Sequence, residues 1–385
     1  MIHVLQLSRA WLAIVGGGLV SSAQAASLIY SVNDQATAYV EGKMLVRPQA
    51  RPGSFSIIDL AASPVRAWHL EDVPGSVVGP PACVAVSANG DDILVTAAQQ
   101  VNHRSDPNRL VADPRITRLR FDGQSLRQVD QIEVGLQPSG ITLDAGGKRA
   151  WVALRGEGGI AAIDLTRDEM RLKATWKFAD AEDSLSDVAV SPDGRTLLAT
   201  LHMTDRLLVL RVGEDGGLTE VQRVPLPRGP YHIAFLSDGR ALIGCTRDDV
   251  VAVLVAGGEG WTLQRRIETG RVPESVEVSP DGRWIAVACF DGANLVNPRA
   301  RWFGEPPGVY LYRVDDRGEI ALAQTLRLTG ILQSAVFSSD GRHLVVGQFG
   351  FGNLRVFARE ESTWIDTGMA LEVPGQPAAL AVPGH

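Results

Sequence analysis

Two groups of side chains in this chain have the types and spacing to bind or transform a ligand. The first is a polar set that recurs along the chain: Ser186-Asp187, Tyr231-His232, Glu274-Ser275 and Gln333-Ser334. Carboxyl, imidazole, phenol and amide groups brought to one place could orient a polar ligand and move protons. The second group is cationic. Arg47, Arg51, Arg104, Arg109, Arg115, Arg299 and Arg301 fall in three stretches of an otherwise acidic chain. Two of these stretches carry similar strings, Val101-Asn102-His103-Arg104 and Val296-Asn297-Pro298-Arg299. Guanidinium forks match carboxylate and phosphate groups. These stretches are therefore candidates to hold a small anionic molecule or an acidic protein partner.

The segments that must position both groups are repeats. Six tight turns separate pairs of apolar runs: Ala88-Asn89-Gly90, Ala145-Gly146-Gly147, Pro192-Asp193-Gly194, Ser237-Asp238-Gly239, Pro280-Asp281-Gly282 and Ser339-Asp340-Gly341. Their glycines are 57, 47, 45, 43 and 59 residues apart. A repeat of roughly 40–50 residues built on a hairpin is the signature of propeller blades. Asn-Gly and Asp-Gly supply the positive φ that such turns demand. Counting back from each glycine, positions −6 and −4 are mostly large and apolar, as in Val188/Val190 and Val276/Val278, and position −5 is mostly small. That alternation predicts an innermost strand packed on both faces. The polar set occupies positions −8 and −7, at the start of this strand. It should ring the mouth of a central channel on the face opposite the turns, here called the top.

Residues 377–382 match positions −9 to −4 of the repeat, whereas residues 28–32, 55–60 and 66–71 read as three strands lacking an innermost one. Together they predict a blade built from both ends of the chain. That blade would close a seven-bladed ring and remove the last free sheet edge. Three stretches exceed the repeat: 33–53, 99–115 and 290–308. Each lies between a second and a third strand, hence on the top, in the sixth, first and second blades of the ring. Long loops in a compact fold often carry function. The candidate ligand-binding residues are thus Tyr231, His232, Glu274, Asp187, His103, Arg104, Asn297, Arg299 and Arg301.

The repeated Ser-Pro-Asp-Gly-Arg string, with apolar runs on both sides, resembles the YVTN-type and lactonase-type (6-phosphogluconolactonase-like) seven-bladed propellers of bacteria. The resemblance spans residues 26–385 and implies an all-β, single-domain propeller. Such folds host enzymes, electron-transfer subunits and binding proteins, so the fold alone does not set the function. Lactonase-type enzymes carry a Gly-Pro-Arg-His string entering an innermost strand. Here it reads Gly229-Pro230-Tyr231-His232, with Arg228 one residue earlier. The resemblance implies His232 and Arg228 as the candidate catalytic pair for opening or closing a lactone ring. The family's second histidine is replaced by Leu185-Ser186-Asp187, and its later acidic residue by Asp248 or Asp249. The leading expectation is therefore a ligand- or partner-binding module acting through its top-face loops. The alternatives are a lactonase-like enzyme with an anionic small-molecule substrate and an accessory subunit of a periplasmic dehydrogenase. Whether the protein is an enzyme is left open.

Arg9, the apolar run 11–20 and Ala23-Gln24-Ala25 read as a signal peptide over residues 1–25, cleaved at Ala25/Ala26. A periplasmic mature chain with no membrane span after cleavage is expected. The net charge of −7 argues against nucleic acid as a partner. Cys83, Cys245 and Cys289 are too few and too scattered for a disulfide framework or a metal site. No metal-protease, nucleophile-elbow, phosphate-loop, dinucleotide or haem-attachment motif occurs, so neither a metal nor a cofactor is expected.

Overall fold

A computed structural model describes residues 27–40, 43–75, 81–102 and 106–384, with the backbone alone for 106–108. The signal-peptide segment and Ala25/Ala26 lie outside the described residues. The seven-bladed, all-β reading holds. Seven four-stranded antiparallel sheets form the ring, and two two-stranded ribbons stand apart from it. Blade 1 uses both ends of the chain: Gln376–Ala381 innermost, then Leu28–Asp34, Ser54–Asp59 and Arg66–Glu71. The innermost strands of blades 2 to 7 are Val84–Val86, Pro138–Leu143, Leu185–Val190, Pro230–Phe235, Pro273–Val278 and Ile331–Phe337. Each packs beside the next, and blade 7 packs beside blade 1.

The turn string has a local physical reason. All six turn glycines have positive φ, from 61° at Gly147 to 87° at Gly239. In blade 4, Ser191 Oγ donates to Asp193 Oδ1 at 2.5 Å and accepts the Thr196 N–H at 3.0 Å. Asp193 Oδ1 also accepts the Arg195 N–H at 3.1 Å. The same network recurs around Ser279 and Asp281, and around Ser338 and Asp340. Serine and aspartate thus bond the turn's own backbone, while glycine supplies a φ that other residues resist.

Blade-to-blade faces are dry layers of branched side chains. Leu197, Ala199, Leu208 and Leu210 of blade 4, for example, pack on Trp151, Ala153 and Ile160 of blade 3. In blade 1, Tyr30 pairs with Ala381, Ser31 with Leu380 and Val32 with Ala379. Tyr30 also donates to the Gly90 carbonyl at 2.7 Å, tying this blade to blade 2.

The three long stretches do emerge between second and third strands. The first forms a ribbon, Thr37–Val40 against Lys43–Val46, and the second another, Gln99–Asn102 against Asp106–Ala112. The third, 290–307, has turns and no strand. Tyr39 of the first, and Phe290 and Ala293 of the third, all pack on Ile331, Phe349 and Ala378. The inserts on blades 1 and 6 therefore rest on one apolar surface formed by blades 7 and 1.

Candidate functional site

The polar set separates into two layers of the channel wall. At position −7, Asp187, His232 and Ser334 reach sideways to the next blade, whereas Ser275 Oγ is buried with no hydrogen-bond partner among the described residues. Asp187, 1% exposed, accepts its neighbour's Val188 N–H through Oδ1 at 2.8 Å and the Ile233 N–H of blade 5 through Oδ2 at 2.9 Å. His232 Nδ1 accepts the Val276 N–H of blade 6 at 3.1 Å. Ser334 Oγ accepts the Leu380 N–H of blade 1 at 3.1 Å. An innermost strand has no further strand to pair with, and these side chains satisfy amides it would leave orphaned. Gly140 holds the same position in blade 3, where a Cβ would lie 2.1 Å from Asp187 Oδ1 and 2.7 Å from Asp187 Cα.

Because His232 Nδ1 accepts, the neutral ring carries its proton on Nε2. Nε2 lies 4.0 Å from Glu277 Oε1, and both groups are buried. Asp187, His232 and Glu277 line a 520 Å³ cavity whose rim includes Ser87, Ala88, Asp144, Pro192 and Gly194. Those rim residues belong to the turns, so this cavity opens at the bottom of the channel. Asp187 and His232 lie deeper than the mouth at which the sequence places them.

Position −8 does belong to the top. The Tyr231 ring packs against His202, with centroids 4.9 Å apart. Glu274 is 9% exposed. No hydrogen-bond partner is found for its carboxyl among the described residues. Burial pushes its pKa up to about 8, and the Arg155 guanidinium pulls in the other direction. Arg155 Nε donates to Ser184 Oγ at 2.7 Å, but its Nη1 is buried with no hydrogen-bond partner. Burial, then the Arg155 charge, push His202 down to about 4, so its ring is neutral at pH 7. Gln333 Oε1 is another buried atom without a partner. Tyr39, from the insert on blade 1, feels the Glu274 charge, which together with burial raises its phenol pKa. The mouth thus pairs an acid lacking a donor with a guanidinium N–H lacking an acceptor. Such orphaned groups are costly unless a ligand completes them.

The remaining candidates are dispersed. Arg228 is exposed and bound to Asp248, at 2.7 Å through Nε, whereas His232 is buried; the sequence-based pair is not brought together in one pocket. Asn297, Arg299 and Arg301 are exposed on the third insert. Asn297 Oδ1 accepts the Arg299 N–H at 3.0 Å, and Arg301 lies 4.4 Å over the Trp302 ring. Arg47, Arg51 and Arg115 serve their own inserts, through the Thr37 carbonyl, Glu71 with Asp72, and Asp113. His103 and Arg104 lie outside the described residues. Arg155 was not anticipated. It is the first residue after a second strand, as His202 is one blade later. That shared repeat position was the available signal, hidden because Leu154-Arg155-Gly156 reads as a plain turn.

Residues 173–259 match a family model described as lactonase, 7-bladed beta-propeller. Among curated proteins there is no match. A candidate 6-phosphogluconolactonase from Bacteroides fragilis superposes with a TM-score of 0.69 at 16% identity, covering 92% of this chain and 98% of that one. The periplasmic gluconolactonase of Pseudomonas aeruginosa gives 0.66 at 21% identity, covering 93% and 100%. Hydrazine synthase of Kuenenia stuttgartiensis gives 0.59 at 15% identity, covering 80% and 92%. These solved structures share the fold, at identities too low to carry an activity. The chain is thus a seven-bladed β-propeller similar to the lactonase type, in sequence over residues 173–259 and in fold over nearly its whole length.

Proposed function

We propose that the top mouth binds a small anionic molecule and hydrolyses a lactone ring there, with Glu274 and Arg155 as the reacting pair. The observation that carries this reading is the unpartnered Arg155 Nη1 within electrostatic reach of a buried Glu274 whose pKa is raised to about 8. Ionised Glu274 takes a proton from water as the water oxygen attacks the ring carbonyl carbon. The carbonyl oxygen becomes an oxyanion, and Arg155 Nη1 donates to it. Collapse breaks the ring C–O bond, and Glu274 returns its proton to the leaving oxygen. The product is the ring-opened hydroxy acid, one water richer. Tyr231, stacked on His202, gives the substrate a wall, and exposed Arg299 and Arg301 attract its charge. The lactonase-type resemblance over residues 173–259 supports lactone chemistry in general; Arg155 and Glu274 lie outside that segment. Function in the periplasm, after loss of residues 1–25, is part of the proposal.

The test is pH-stat hydrolysis of a lactone panel by the mature chain. A rate rising through about pH 8 is expected, as Glu274 ionises. Glu274→Gln should lose on the order of 10²–10⁴-fold, and Arg155→Met on the order of 10²–10³-fold. Binding without turnover across the panel would leave a binding module and reject the enzyme. Unchanged turnover in Glu274→Gln would reject the site.

A further inference from the structure

The insert on blade 6 exposes apolar side chains that the repeat does not require. Blades 3 to 5 join their second and third strands by the four-residue turns 155–158, 202–205 and 246–249. On blade 6 the same link is the whole stretch 290–307. Within it Val296 is 50% exposed and Phe303 45%. These two, with Lys43 of the blade 1 ribbon and Leu328 and Gly330 of the link into blade 7, line a 740 Å³ groove. Phe351, from the corresponding turn of blade 7, is exposed beside it, since a Cβ on Gly330 would lie 2.8 Å from Phe351 Cδ2. Single exposed apolar residues are ordinary, whereas several gathered around one groove mark a binding surface.

The lining suits hydrocarbon better than peptide. Among the described residues that form it, only Lys43, Glu305 and Thr329 carry polar side chains, and Pro298, Pro306 and Pro307 have no N–H to donate. A peptide backbone would find few partners there. The surrounding charge is cationic: Lys43 lines the groove and Arg299 and Arg301 stand exposed on the same insert, against the single carboxylate of Glu305. We propose that this groove is a second binding site, for one anionic amphiphile of the fatty-acid class. The hydrocarbon chain lies along Leu295, Val296, Phe303 and Leu328, where it leaves water. The carboxylate meets the Lys43 ammonium in a charge-assisted hydrogen bond. A concave groove takes a single chain, whereas a bilayer would need a convex face. Glu274, Arg155, Tyr231 and His202 are not part of the lining, so the site stands independently of the proposed chemistry at the mouth.

The probe is decanoate, titrated against the mature chain by calorimetry below its micelle-forming concentration. Decyltrimethylammonium is the charge-reversed counterpart and butyrate the short-chain one. Saturable binding of decanoate is expected, with each counterpart at least about tenfold weaker. Lys43→Glu and Phe303→Ser change exposed side chains, so both should fold with an unchanged circular dichroism spectrum. Each should lose about tenfold or more in decanoate affinity. Glu274→Gln should bind decanoate as wild type does. On sedimentation with phosphatidylglycerol vesicles, the chain should stay in the supernatant. No binding of decanoate, equal affinity for either counterpart, equal affinity in either groove variant, lost affinity in Glu274→Gln, or co-sedimentation with the vesicles would each overturn the proposal.

Discussion

The two ends of one channel handle buried charge in opposite ways. At the bottom, Asp187 accepts two backbone N–H groups and His232 accepts a third, so charge and polarity are built into the ring's own bonding. At the top, Glu274 and Arg155 Nη1 are left without hydrogen-bond partners. The bottom groups hold blade to blade. The top groups are left for a ligand or water to complete. A propeller can carry both because its innermost strands differ by one residue in what they face: position −7 meets the next blade, and position −8 meets the mouth.

The comparison presupposes a closed ring, and breaking the ring has the largest effect. Deleting residues 376–385 removes the innermost strand of blade 1 and exposes two sheet edges. Loss of the cooperative melting transition is expected in calorimetry, a loss on the order of the whole 5–15 kcal/mol of a typical fold. An unchanged melting temperature would show that the seam contributes nothing.

Next in size is Glu274→Gln, which tests the cost at the top. The folded carboxyl binds its proton up to about pH 8 and the unfolded one up to about 4.5, so wild-type stability falls as pH rises between them. The slope is about 1.36 kcal/mol per pH unit. The variant should match wild type at pH 4 and exceed it increasingly towards pH 8 in denaturant titrations. Parallel pH profiles would remove the contrast.

Gly140→Ala probes the bottom through packing alone. Its Cβ would lie 2.7 Å from Asp187 Cα, so backbone must shift. A loss of about 1–3 kcal/mol is expected. The Glu274 pH profile should not move. A moved profile would mean that the two ends are coupled.

The smallest effect is at His202. Its folded pKa of about 4 lies below the ordinary 6.5, so it costs stability only as pH falls through that window. His202→Gln should melt like wild type at pH 7 and above it at pH 5. An identical difference at both pH values would show that the ring is not buried neutral.

Much of the fold was legible because each blade writes its own boundaries. The six turn glycines have positive φ, and the Ser-x-Asp spacing matches hydrogen bonds inside each turn. Residues 377–382 could be matched to an innermost strand because the repeat constrains every position. The ribbons of the inserts could not be read, since they follow no repeat. For the site, the sequence located positions −8 and −7 but not the direction of each side chain. Asp187 and Glu274 look alike on paper; one is turned into a neighbouring strand and the other into the mouth. Arg155 lay in a turn-like string, and Glu277 was visible only as the one charge in a column of alanines, threonine and valine.

The seam of blade 1 also has a kinetic meaning. Six blades are each built from one continuous stretch of chain, blade 2 with its insert's ribbon between second and third strands, so their contacts close comparatively short loops. The pairing of Tyr30 with Ala381 joins residues about 350 apart, and such distant closure is entropically costly and slow. An arc of preformed blades can therefore wait for one final join, with the strand Leu28–Asp34 exposed until Gln376–Ala381 arrives. The time spent as an open arc sets how long that edge is available to other chains. The rate at which this one join reopens then sets the lifetime of the finished ring.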